Sequence, residues 1–177
     1  QMHKIGEDKS EQLEWVPAQV KIIEHVRVKY GCRSCEECVK NAALPNLPIP
    51  KSIASPGLLA EILVSKYQDH LPLYRQETIL QRMGVDIART TLSNWMIRCG
   101  ELLQPLIVLL KEDIINYHYI QADETTVQVL NEPGRENTSK SYMWVFKGGP
   151  PDKPGVIFEY QPTRAGIVAE VFLKDFT

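Results

Sequence analysis

Tyr117–Leu130, YHYIQADETTVQVL, is the stretch on which the reading of the chain turns. Aromatic and β-branched residues dominate it, with Tyr119 and Ile120 followed by Thr125, Thr126, Val127 and Val129, a composition that predicts strand. Two acids, Asp123 and Glu124, interrupt the run. A carboxylate within an apolar strand has to be hydrogen-bonded, paired or set on a cation, because desolvating it alone is costly. Side chains alternate across a strand, so the two acids point to opposite faces and cannot serve one site together. One is therefore a candidate functional group. The bland alternative for either is a solvated charge at a strand end.

Downstream of a first strand over 119–130, further strands are expected at 140–148 and 155–161, separated by the turn-forming segments NEPGREN and GGPPDKPG. Short connections of this kind predict an antiparallel meander, closed by a helix over Ala165–Lys174.

Upstream, the apolar period becomes helical. Helices are expected over Leu58–Tyr67, over Leu73–Met83 and from Arg89, where Leu92, Trp95, Met96 and Cys99 share one side. Pro105 is expected to start a separate helix running to Ile115. The turn Gly84–Ile87 between the second and third helices gives a helix-turn-helix order, in which the second helix can enter a DNA major groove. Arg89, Thr90, Ser93, Asn94 and Arg98 are available on its outer face, and Arg75 and Arg82 add phosphate contacts, so these seven are candidate DNA-binding residues. Simple packing in a helical bundle is the alternative.

The N-terminal part reads differently. Val20, Ile22, Ile23, Val26, Val28 and Tyr30 suggest a β-hairpin over Pro17–Tyr30. Cys32 and Cys35 stand at the spacing that lets two thiolates meet one tetrahedral zinc, which needs four ligands. Cys38, His3 and His25 are the other nearby candidates, at no recognisable second spacing, and free thiols are the alternative. Residues 41–57 hold Pro45, Pro48, Pro50 and Pro56 and predict an extended linker. The expected organisation is thus a zinc-binding-like segment (1–40), a linker (41–57), a helical region (58–116) and a sheet region (117–177).

With 44% hydrophobic and 24% charged residues in 177, the chain can bury a real core. Its 20 basic and 22 acidic residues leave a net charge of −2, so any contact with nucleic acid has to be local. No apolar run approaches membrane-spanning length and no signal peptide is visible, which points to an intracellular protein with no membrane partner.

Four motifs carry a resemblance: SPGLLA (Ser55–Ala60), SKYQDHLPLYRQ (Ser65–Gln76), GVDI with TL and W following (Gly84–Trp95) and ADET (Ala122–Thr125). Together they resemble the bacterial transposases of the insertion sequence sixty-six family, of the DDE type. The segment His3–Glu36 resembles that family's zinc-binding segment, with Cys32 and Cys35 matching its second CxxC. The resemblance implies an α+β fold: a zinc-ribbon-like remnant, a helix-turn-helix-like region, then the start of a ribonuclease-H-like β-meander plus helix. It also implies a core in which two Asp and one Glu hold two divalent cations, Mg2+ or Mn2+, for DNA strand cleavage and joining. Asp123 matches the first acid and would be a metal ligand; Zn2+ is the cofactor implied at the N-terminal segment. The other two acids are expected beyond the helix near Ala165, and Asp175 does not replace them, so the chain reads as a transposase fragment incomplete at both ends.

The implied partners are DNA at the element's ends, a homo-oligomer and accessory proteins of the element, in the bacterial cytoplasm at the nucleoid. Where the family commonly has a small hydroxyl residue capping the third helix, this chain has Ala88. Loss of such a cap costs about 1 kcal/mol unless Asp86 or Thr90 takes over. Two further readings stand beside the enzyme: a DNA-binding module without catalysis, and a transposase remnant.

Overall fold

A computed structural model describes residues 10–16, 18–31 and 39–176. Cys32, Cys35, Cys38 and His3 lie outside the described residues. The chain divides into two compact units, Gln1–Met96 and Ile97–Thr177. That division falls inside a helix.

In the first unit, strand β1 (Lys29–Gly31) pairs antiparallel with β2 (Val39–Asn41), Tyr30 opposite Lys40. The expected hairpin over Pro17–Tyr30 is absent, since residues 18–28 carry no regular secondary structure. Ile22 is 99% and Val26 77% exposed, and an apolar alternation that finds no packing partner among the described residues does not sustain a ribbon.

Helix α1 (Pro56–Tyr67) begins two residues before the expected Leu58. The Ser55 hydroxyl caps it by accepting the Leu58 N–H at 3.2 Å, and Pro56 supplies a helical φ where no donor is needed. Helix α2 (Leu73–Arg82) follows Pro72 and closes at Gly84, whose φ of +81° suits glycine. Buried Gln76 donates to the carbonyls of Ile62 and Leu71 at 3.3 and 3.0 Å, tying α2 to the middle of α1 and to the loop between the two helices.

Helix α3 runs unbroken over Arg89–Ile115 with Pro105 inside it, so no new helix begins there. An internal proline removes one hydrogen bond and crowds one carbonyl. Two separate helix ends would leave up to four N–H and four C=O groups without partners.

In the second unit, β3 (Ile120–Gln128), β4 (Lys140–Gly148) and β5 (Gly155–Gln161) form the expected antiparallel meander in the order β3-β4-β5. Helix α4 (Ile167–Phe172) is shorter than the predicted span. The register aligns Ala122 with Phe146 and Ile157 on one face, and Asp123 with Val145 and Phe158 on the other.

The first face is covered. Ile114 and Ile115 of α3, and Val168 and Phe172 of α4, form a core with Trp144, Phe146 and Ile157, in which the Phe146 and Phe172 rings stack 3.6 Å apart. The second face is open, with Phe158 68% exposed.

Gly148 and Gly155 stand opposite each other where α3 crosses the sheet, and a Cβ on either would come within 2.9 Å of the Ile114 side chain. We expect Gly155→Ala to destabilise this unit by about 1–3 kcal/mol through overpacking. Thermal unfolding should show that loss and its partial recovery when Ile114→Val is added.

Candidate nucleic-acid interface and catalytic carboxylate

The first unit brings basic and hydroxyl side chains together around the start of α3. Leu92, Trp95 and Met96 face the core, which leaves Arg89, Thr90 and Asn94 exposed and Ser93 half-buried. An open cleft of about 350 Å³ gathers Arg89, Thr90 and Ser93 with Lys66 from the last turn of α1 and Leu73 and Tyr74 from α2.

Of the expected DNA contacts, three therefore converge and four do not line this cleft. Arg75 donates to the Tyr74 hydroxyl at 3.0 Å and lies over that ring. Arg82 and Asn94 are exposed elsewhere on their helices. Arg98 belongs to the second unit and is ion-paired with Glu101 at 2.7 Å.

Neither Asp86 nor Thr90 replaces the missing cap at Ala88 by a described hydrogen bond. Glu77, on α2, does so across the turn: its Oε1 accepts the Arg89 N–H at 2.9 Å. A carboxylate suits that position, where unpaired N–H groups make the helix end electropositive. Lys66, Tyr74 and Glu77 escaped the sequence reading. A helical period assigns faces but does not say which faces of separate helices meet.

In the second unit, Asp123 is exposed on the open sheet face and its Oδ1 accepts the N–H of Glu124 at 2.9 Å. A hollow of about 560 Å³ beside it is lined by Gln121, Val145, Lys147 and Val156. Glu124 points to the covered face, as alternation requires, and pairs with Arg164. That hydrogen bond, and then the charge of Glu124, raise the Arg164 pKa above the ordinary guanidinium value.

Among the described residues, no three His, Cys, Asp or Glu side chains gather to hold a metal ion. Asp123 is thus the one acid in its hollow, and the two-cation centre that the family resemblance implies does not fit the described residues.

The Transposase IS66 family matches residues 51–177, and the zinc-finger binding domain of transposase IS66 matches residues 1–36. The chain belongs to the IS66 family of transposases. Two similar proteins of Sinorhizobium fredii, y4jD and y4qI, both described as uncharacterized, are 37% identical over 182 residues and 40% identical over 142 residues. These alignments cover 99% and 80% of this chain but 35% and 26% of the relatives. No solved structure matches it.

The cap in this IS66 family member is open to test. Replacing Glu77 by Ala should cost about 1 kcal/mol in urea unfolding, as loss of an N-cap does, whereas Glu77→Gln, which keeps a carbonyl acceptor, should retain most of it.

Proposed function

We propose that this chain is the DNA-engaging part of an IS66-family transposase, and that by itself it binds DNA without cutting it. The observation that carries the reading is the outer surface of the first turns of α3, where Arg89, Thr90, Ser93 and Asn94 sit opposite the buried Leu92, Trp95 and Met96. With α2 these form a helix-turn-helix. The short turn and the polar outer face support that assignment, and the net charge of −2 makes the contact depend on this local surface. The partner is DNA at the ends of the element, met in the bacterial cytoplasm. Nonspecific affinity should fall in the usual range of roughly 10⁻⁴–10⁻⁶ M near physiological salt and weaken steeply as salt rises.

In the complete protein, Asp123 is the first carboxylate of the centre that cleaves and joins DNA. The Asp123 side chain is accessible on the open face while Glu124 is held by Arg164, which supports the choice between the two acids. The remaining acids would come from residues other than those described. Cys32 and Cys35 are two thiolate ligands of a zinc ion completed by other side chains, and 41–57 links that segment to the helices. The non-catalytic module is the reading favoured for the chain alone, because no second acid lines the hollow at Asp123.

Nearly isosteric substitutions in the full-length transposase test the assignment. Asp123→Asn should abolish cleavage of element ends while end binding persists, and Glu124→Gln should cleave close to the parent rate. Normal cleavage by Asp123→Asn would move the catalytic carboxylate elsewhere.

A further inference from the structure

We propose that the cleft between α1, α2 and α3 seats a single phosphodiester of duplex DNA, gripped by Lys66 and Arg89 together. The proposal rests on the DNA-binding reading above and adds to it the group that is held and a residue, Lys66, that holds it.

Lys66 and Arg89 come from different helices and line the same cleft, whose lining contains no carboxylate. Among the described residues, neither side chain forms an ion pair. Two cations gathered in one hollow repel each other, and an anion placed between them relieves that repulsion. Glu77 already accepts the first N–H of α3, so the preference for an anion comes from side chains and not from the helix end.

The remaining lining residues favour a phosphodiester over a free ion. Thr90 and Ser93 add hydroxyl donors to the planar fork of Arg89 and the point charge of Lys66, a set suited to phosphate oxygens. Leu73 and the Tyr74 ring supply an apolar wall for a sugar, and the Tyr74 hydroxyl already accepts from Arg75 at 3.0 Å. The cleft is open, so a continuous backbone can pass through it.

The test is fluorescence anisotropy of the chain with a labelled random-sequence DNA duplex across a series of salt concentrations. Lys66→Ala and Arg89→Ala should each weaken binding several-fold. The double variant should lower the slope of log affinity against log salt by about 0.9, the amount for one phosphate. Lys66→Arg should bind like the parent, as should the control Lys153→Ala, and circular dichroism should show the same helix content throughout.

A slope unchanged in the double variant overturns the proposal, as does a fall of about 1.8, the sum for two separate phosphates. Tighter binding to a matched RNA duplex, or displacement of the DNA by inorganic phosphate at equal ionic strength, also overturns it. If the parent does not bind DNA at all, the broader DNA-binding reading fails. Binding retained by the variants rejects the cleft alone.

Discussion

The seat of α3 on the sheet governs the second unit. Ile114 fits against the backbone at Gly148 and Gly155, where even a methyl group would collide. That contact places the apolar end of α3 on one face, and Phe172 of α4 completes the cover by stacking on Phe146. Once one face is covered, the pleat settles the fate of the two acids. Glu124 falls on the covered side and is compensated by Arg164, while Asp123 falls on the side open to solvent.

The turn between β3 and β4 is held to the same sheet by a polar clamp. The Tyr160 hydroxyl donates to Glu132 at 2.6 Å, and the buried Ser141 hydroxyl donates to the other oxygen of that carboxylate at 3.2 Å. Arg135 reaches the carbonyls of Pro162 and Lys140 at 2.6 and 2.9 Å. Groups satisfied in this way fix a loop without demanding apolar burial, which matters for a sheet with one face exposed. The free edge of β3 next to Asp123 and the exposed Phe158 mark the part of the sheet that this unit does not cover.

The first unit solves a different problem. Its surface helix starts at an alanine that cannot cap it, and a carboxylate on the preceding helix accepts the orphan N–H instead. The cap therefore also fixes the start of α3 relative to α2. The basic and hydroxyl side chains around the cleft depend on that geometry, because they come from three helices. The chain belongs to the IS66 family and spans 35% and 26% of the relatives y4jD and y4qI.

The sequence by itself determined the order of helices and the meander, because the helical period of residues 58–99 and the two-residue period of β4 reflect faces that are buried, although Leu102, Leu103, Leu106 and Leu109 farther along α3 are exposed. It also determined that Asp123 and Glu124 face opposite ways, a consequence of backbone geometry alone. The same period misled at Pro17–Tyr30, where the alternating apolar residues cover no surface among the described residues, and Pro105 misled because it lies inside one continuous helix. Tertiary structure alone decided which acid is covered, through the packing of α3 and α4. It also decided the role of Glu77, whose partner lies on another helix, and placed Lys66 in one cleft with Arg89. Contacts between separate elements depend on how those elements pack, and no local pattern in the chain encodes that.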